Sequence, residues 1–407
     1  MNDTTTSRAN AVNLAPLPAR FALAGVALLG LSFLGGIGDF GGFYRAYLVA
    51  FLLWLGVTLG CLALLMLQHL TGGRWALILR RILEAGTRTL PLMAVAALPI
   101  LIGMKSLYVW ARPGQTDPLI VGKHAYLNPA FFTVRMVFYF ACWFTLAYFL
   151  NKWSREEDRE GSPPLWLRME SFSGGGLVLF GFTLNFAAVD WVMSLEPRWY
   201  STIYGLLLMT GMTLGAMAFV IIVLVWLSDK SPLAEIVTPL SLGDLGSFLL
   251  MFVMLWAYLQ FAQYLIIWGE NLSGEIPWYL RRLQGGWGMV GLALIFLNFA
   301  LPFFLLLFRH VKRRVNSLLI VASLVFAMRI VDLCWMVFPA FSGDSQPAWR
   351  LAWMVALLTL GVGALWFGYF TLQLQRMPLL PVNDPRMKEA LEHAVEQGAQ
   401  HRAEHGA

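Results

Sequence analysis

The chain has 407 residues, of which 58% are hydrophobic and only 13% are charged. This balance lies far outside that of soluble globular domains and leaves no stretch that fits one. The net charge of +6 does not indicate a nucleic-acid partner, because the Lys and Arg residues fall mainly between and beside apolar runs, where they report membrane topology.

Ten apolar runs follow one another along the chain, each about as long as the roughly 20 residues that a helix needs to cross a bilayer. They are predicted at 20–38, 44–67, 89–110, 130–150, 174–195, 202–227, 244–268, 289–308, 318–339 and 349–374. Lipid leaves only helices and closed barrels able to satisfy the backbone, so we predict an all-α polytopic membrane protein.

The ten-helix transmembrane domain is predicted over 20–374, between polar tails at 1–19 and 375–407. The first run lacks a small-residue cleavage site and is predicted to be a retained helix. Pro385 marks the start of a helix in the second tail that ends at about Gln397.

The distribution of Lys and Arg predicts the orientation. If the N-terminus is cytoplasmic, 19 of these residues lie on the cytoplasmic side and 7 on the other side. The positive-inside rule therefore places both termini in the cytoplasm and the segment between the fifth and sixth helices outside.

Helices 2–5, at about 44–195, and helices 6–9, at about 202–339, carry matching motifs in the same order. The most specific is V-D-x₆-P, because aspartate is rare inside a membrane. We predict two parallel-repeated four-helix bundles, with helices 1 and 10 as peripheral additions. The matches are T-L-G at 58–60 and 213–215, K/Q-x-L-x-x-W at 105–110 and 263–268, and V-D-x₆-P at 189–197 and 331–339.

Five ionisable residues fall inside the predicted helices, about 7–12 Å from their outer ends at 1.5 Å rise per residue. Because a charge in the membrane is costly, they are proton-pathway candidates, and the two aspartates are the favoured carriers. The alternative is that they pair across the bundle and only fix helix packing. The five residues are Lys105, Arg135, Asp190, Arg329 and Asp332.

The inner ends of the helices offer candidates for proton entry at His69, Glu84 and Asp244, for which interfacial anchoring is the alternative. No histidine lies in the middle of a helix, so we expect no intramembrane haem. The three cysteines are far apart and are expected to be small buried hydrophobes, so no metal site and no cofactor bound by this chain are predicted.

The outer turn after helix 5 is dense in charged and aromatic residues, which suits a surface for docking a partner protein. The alternative is an aromatic belt at headgroup level, with Ser201 or Thr202 capping helix 6. The residues singled out are Trp191, Glu196, Arg198, Trp199, Tyr200 and Ser201.

The stretch AVDWVMSLEPRWYSTIYG at 188–205 closely resembles the signature of the ActF-type subunit of bacterial alternative complex III, a member of the NrfD/PsrC-like membrane anchors. Length, ten helices and a doubled bundle extend the resemblance over nearly the whole chain. Arg198 departs from the pattern, since histidine often follows the Glu-Pro pair in that family.

The resemblance implies a multi-pass subunit of the bacterial cytoplasmic membrane. It further implies a complex that oxidises menaquinol or ubiquinol and passes electrons to periplasmic iron–sulfur and multihaem cytochrome c subunits. A sister NrfD-like subunit would lie beside this chain, and a terminal oxidase could follow in the electron path.

Two other functions stay open on the sequence. A proton-coupled secondary transporter would fit the parallel repeat and the intramembrane charges, although transporters usually have helices interrupted at the midplane and the charges here lie off-centre. A purely structural scaffold of the complex is the third.

Overall fold

The computed structural model describes residues 14–72, 75, 77–160, 164–341 and 351–381. Within them the chain is helical, with no strand, and ten helices are long and apolar enough to cross a membrane. The predicted all-α polytopic fold is therefore confirmed. Numbered α1 to α10, these helices are Leu17–Gly36, Phe40–Thr71, Arg80–Ile102, Pro129–Arg159, Leu165–Leu195, Tyr204–Leu227, Pro239–Glu270, Trp287–Leu307, Val315–Phe341 and Ala352–Leu374.

We call the end of the bundle that carries the turn between α5 and α6 the outer end, after the predicted orientation, and the opposite end the inner end. The predicted helix beginning at Pro385 lies outside the described residues.

Three predicted boundaries at the inner end are wrong. The fifth helix begins at Leu165 instead of 174, the third begins at Arg80 instead of 89, and the fourth continues to Arg159 instead of ending at 150. The turns added to α3 and α4 are rich in charge, which ended the apolar runs in the sequence. They are nevertheless helical because their charged side chains pair with one another in the protein interior.

The centre of the bundle is formed by α2 and α6, which are apolar on every side and almost fully buried, as expected for helices surrounded by others. The two helices approach closely at Gly60, where a Cβ atom would lie 2.4 Å from the Cβ of Ala216. Any larger residue at this position would therefore push the central pair apart.

The remaining helices pack around this pair in a regular order. Both α5 and α9 contact both central helices, α3 packs on α2, and α7 packs on α6. The outermost positions are taken by α4 against α5 and by α8 against α9. The predicted repeat of 2–5 and 6–9 stays a prediction, with which this order of contacts is compatible.

The last helix, α10, lies between α1 and α2. Two buried indoles join it to α2. Trp54 Nε1 donates to the Thr359 carbonyl at 2.9 Å, and Trp366 Nε1 donates to Thr58 Oγ1 at 2.8 Å. By contrast, most of α1 is exposed on the outside of the bundle.

Candidate functional site at the outer ends of the helices

Asp190 lies near the end of α5 and is held by side chains of α4. Arg135 binds it as a fork, with Nε 2.8 Å from Oδ2 and Nη2 2.8 Å from Oδ1, and the Tyr139 hydroxyl donates to Oδ2 at 2.7 Å. The guanidinium also donates to the Tyr126 carbonyl and stacks on the rings of Tyr126 and Phe131. Both carboxylate oxygens thus accept hydrogen bonds, in the bidentate geometry typical of arginine–carboxylate pairs.

Glu196 forms a second cluster just beyond Asp190. Its carboxylate pairs with Arg281 and Arg282, which lie on the short helix Ile276–Leu283 between α7 and α8. Arg282 also donates to the carbonyls of Trp278 and Met336, at 2.9 and 2.8 Å. Burial lowers the pKa of the Arg282 guanidinium from its ordinary value, while the Glu196 carboxylate acts in the opposite direction.

Stacked aromatic rings complete this cluster, which we call the Glu196 clamp (Glu196, Trp199, Trp278, Arg281 and Arg282). The ring of Trp199 stacks on that of Trp278 with centroids 4.8 Å apart, and the Arg282 guanidinium lies 3.4 Å from the centroid of Trp278. The turn after α5 is therefore fixed to the loop after α7 and, through the Met336 carbonyl, to α9.

The other face of the turn is exposed. Tyr200 is 61% exposed, and the side chain of Arg198 is 69% exposed although it pairs with Asp117 at 2.6 Å. The hydrogen bond from Arg198 lowers the pKa of Asp117 from its ordinary value. Lys123 donates to the Pro197 carbonyl at 2.7 Å. The turn thus combines a buried face, fixed by ion pairs, with an exposed, charged and aromatic face.

A pocket of about 300 Å³ lies beside this turn, and its walls are mainly apolar. The pocket adjoins the Asp190 cluster. Ser194 lines the pocket, and its hydroxyl donates to the backbone carbonyl of Asp190 at 2.5 Å. Its other lining residues include Lys123, Tyr126, Met193, Trp199 and Tyr200.

The expected helix cap at Ser201 or Thr202 is wrong. Helix α6 begins at Tyr204 after Ile203, which makes no side-chain capping bond. Ser201 instead donates to Gln263 Oε1 of α7 at 2.6 Å. The Ser201 hydroxyl therefore joins the turn to α7. Gln263 lies 62 residues away in the chain, and sequence rules for helix caps consider only neighbouring residues.

Asp332 and Arg329 pair within α9, with Nη1 2.5 Å from Oδ2, and both are buried. The guanidinium fits against Gly211 of α6, where a Cβ atom would lie 2.2 Å from Nη2. Among the described residues, no donor reaches Oδ1 of Asp332. One half of this carboxylate is therefore without a hydrogen bond.

The predicted polar layer is not continuous. The prediction that Lys105 lies inside a spanning helix is wrong, because α3 ends at Ile102 and Lys105 is exposed on the short helix Met104–Leu107 that follows; its backbone carbonyl accepts from Arg112. Trp191 is fully buried against the rings of Phe51 and Trp143, and its carbonyl accepts from Tyr108 at 3.1 Å. The structure thus brings Arg135 to Asp190 and Arg329 to Asp332 but leaves Lys105 at the surface.

An ion network at the inner end is the main feature that the sequence analysis missed. Glu84 is fully buried, so the alternative of an interfacial anchor is wrong for it. Its carboxylate accepts from Arg80 Nε at 3.1 Å, from Arg81 Nη1 at 2.8 Å and from Ser154 Oγ at 2.6 Å. These contacts fix the start of α3 to the end of α4.

Two further acids of α4 complete the network. Glu157 accepts from Arg80 at 2.6 Å, and Asp158 pairs with Arg81. The sequence signal was present as R-R-x-x-E at 80–84 and S-R-E-E-D at 154–158, two segments with complementary charges at helical spacing.

The other two inner candidates differ in their surroundings. His69 is buried near the end of α2, whereas Asp244 is exposed near the start of α7. Asp244 lines a second pocket, of about 330 Å³, together with Trp75 and Ser247. The contacts of Glu84 described above go to arginines and a serine, so they do not join it to His69 or Asp244.

The chain was also compared with known proteins. No protein-family model matches it, and no curated protein matches it significantly. The function therefore has to be argued from the geometry above and from the resemblance of residues 188–205.

Proposed function

We propose that this chain is a membrane subunit of a respiratory quinol:electron-acceptor oxidoreductase of the alternative complex III type, in a bacterial cytoplasmic membrane. The observation that carries the proposal is the two-faced turn at the outer end. Its buried face is held by the Glu196 clamp, and its exposed face presents Arg198 and Tyr200. The stretch that resembles the ActF-type signature forms this turn.

A docking surface must keep its shape without a partner, because ordering a loop on binding costs affinity. Here two arginines, a stacked pair of tryptophans and a bond from Lys123 hold the backbone of the turn. Arginine and tyrosine are also enriched among the interface residues that contribute most of the binding energy. Periplasmic iron–sulfur and multihaem cytochrome c subunits are the partners that we propose for this face.

In this proposal the chain holds its partners and shapes the membrane arm beside a sister NrfD-like subunit. Electrons pass through the cofactors of those partners, and menaquinol or ubiquinol is oxidised nearby. Asp190 on α5 accepts hydrogen bonds from Arg135 and Tyr139 on α4. In this proposal it joins α4 to α5 next to the docking turn.

The test is purification of the tagged full chain in a mild detergent from its native host. We expect a c-type haem spectrum and iron–sulfur protein to accompany it. The variant Arg198→Glu with Tyr200→Ala should lose the haem proteins while the chain stays folded. Lys105→Glu, which reverses an exposed charge at the same end, is the matched control and should keep them. Purification of the native chain free of haem proteins would overturn the proposal.

One observation favours a secondary transporter as the second candidate. The middle of α8 is interrupted by a π-helix at Leu294–Ala300, and α3 is broken into short helical segments. Interrupted helices are a feature of transporters that the sequence analysis did not find. A chain that purifies alone and moves a solute with protons in vesicles would support this candidate.

A further inference from the structure

The middle of α8 contains a polar group in an apolar stretch. Asn298 is 0% exposed, and within the described part of the chain neither its amide nitrogen nor its amide oxygen has a hydrogen-bond partner. A buried amide without partners costs about 1–3 kcal/mol. Such a group therefore needs a reason to be where it is.

The backbone around Asn298 is also irregular. Residues Leu294–Ala300 form a π-helix, and Pro302 follows directly in the next helical turn. Proline cannot donate to the carbonyl four residues earlier, which is that of Asn298, and its ring crowds that carbonyl. The wider turn relieves this crowding. Single π-turns inside helices occur frequently at functional sites.

The depth of Asn298 relative to α9 follows from two contacts. The ring of Trp287 stacks on Phe338, and a Cβ atom on Gly291 would lie 3.4 Å from the indole nitrogen of Trp335. The two helices are antiparallel, and Asn298 lies seven residues beyond Gly291. Because the π-helix rises less per residue than an α-helix, we expect Asn298 near the level of Met328 and Arg329, about one helical turn deeper than Asp332.

The buried stripe of α8 faces the bundle at this level. It consists of Leu294, Asn298, Pro302 and Leu306, spaced by four residues. On α9, Asp332 is equally buried and has its Oδ1 atom free of donors among the described residues. One turn further out, the Trp335 indole nitrogen is buried without an acceptor in the same part of the structure.

We propose that α8 and α9 enclose a hydrated polar path, with Trp335, Asp332 and Asn298 in order of depth, and that Asp332 takes up and releases a proton on Oδ1. Water is the partner that suits these groups, because it can both donate to Oδ1 and serve both ends of the Asn298 amide. The proton passes from a hydronium ion to Oδ1, which leaves water and a neutral acid, and it returns by the same route.

The pair with Arg329 does not prevent this exchange. Arg329 binds Oδ2, so Oδ1 can be protonated while the bond to the guanidinium is kept. Cys334 on the same helix and Tyr204 at the start of α6 interact electrostatically with Asp332, and Tyr204 interacts in turn with Glu196 and Arg282 of the Glu196 clamp. The proposal holds whichever complex or solute the chain serves.

The test is infrared difference spectroscopy of the purified full chain in lipid nanodiscs, between neutral and acidic buffer. Exposed carboxylates contribute to the carboxylic-acid C=O band, and we expect one component of that band to shift in D₂O and to be lost in Asp332→Asn. Asp190→Asn is the matched control, since both oxygens of that carboxylate accept hydrogen bonds from side chains, and it should keep the component. Asn298→Leu should keep the band but slow its shift after transfer to D₂O.

Retention of the whole band in Asp332→Asn would overturn the proposal, as would an exchange rate unchanged by Asn298→Leu. If Asp332→Asn does not fold, Asp332→Glu provides the same test, because the band should then move in frequency. A band at the same frequency in Asp332→Glu would equally overturn the assignment.

Discussion

Asp190 and Asp332 occupy the same place in two copies of V-D-x₆-P, yet their carboxylates are bound differently. Asp190 receives a fork from Arg135 of the neighbouring helix and a bond from Tyr139, so both oxygens are occupied. Asp332 is bound by Arg329 from three residues earlier on its own helix, through Oδ2. Arg135 lies on another helix and can approach the carboxylate of Asp190 end-on, so it reaches both oxygens. Arg329 lies on the preceding turn of the same helix as Asp332 and reaches only Oδ2. The first pair therefore joins two helices, and the second leaves Oδ1 of Asp332 without a donor in the described part of the chain.

Removing the cation of each pair should give the largest difference. Arg135→Met leaves the Asp190 charge buried and uncompensated, and we expect it to lower the free energy of unfolding by about 3–5 kcal/mol. Arg329→Met should cost less, because Asp332 can take up a proton on its free oxygen. Thermal unfolding of both variants in the same detergent measures the difference.

The double variant Arg135→Met with Asp190→Leu serves as the control, since it removes both charges and should recover most of the stability lost in the single variant. Equal losses for Arg135→Met and Arg329→Met would contradict the distinction between the two aspartates.

The next largest effect is expected from the ion network around Glu84 at the inner end. Glu84→Gln keeps the shape of the side chain but removes the charge that faces Arg80 and Arg81. We expect the inner ends of α3 and α4 to separate, which limited proteolysis would detect as faster cleavage at the inner end of α4. Glu156→Gln, at a partly exposed acid of the same helix, is the control and should be cleaved like the native chain.

Two buried asparagines extend the comparison to a smaller effect. Asn151 donates to Thr87 and accepts from Arg88, so Asn151→Leu should lower the free energy of unfolding by about 1–3 kcal/mol. Asn298→Leu removes an amide that has no protein partner in the described structure, and it should leave stability unchanged or raise it. A loss in Asn298→Leu as large as that in Asn151→Leu would mean that the Asn298 amide is bonded within the protein.

The smallest effect is expected at the exposed pair of Arg198 and Asp117. Because this pair is open to solvent, Arg198→Ala should hardly change thermal stability at neutral pH. The pKa of Asp117 is lowered in the folded chain, so any contribution of the pair is present above the ordinary aspartate range and is lost as the pH falls through the lowered value. A stability difference between native chain and Arg198→Ala that grows on acidification would contradict this sign.

The sequence predicted the ten helices because twenty-residue apolar runs are a strong physical signal in a membrane protein. It also identified Asp190, Glu196 and Asp332, since acids are costly near or within lipid. The sequence did not predict the inner ends of α3 and α4 correctly. The apolar runs end there, but the helices continue because charges from distant segments compensate each other, as Arg80 and Glu157 do. The sequence also could not distinguish Asp190 from Asp332, because the partner of Asp190 lies 55 residues away in the chain. The π-turn at Asn298 depends on how α8 packs, and Pro302 alone did not reveal it.

The most direct test of the account is made on the purified complex, by measuring haem content and proton translocation in Asp190→Asn and Asp332→Asn from the same preparations. We predict that Asp190→Asn, which weakens the join between α4 and α5 beside the docking turn, stays folded but retains less haem protein than the native chain. We predict that Asp332→Asn keeps its haem complement and translocates fewer protons per quinol oxidised. The account would be contradicted if Asp190→Asn assembled fully while its proton translocation fell and Asp332→Asn behaved like the native chain.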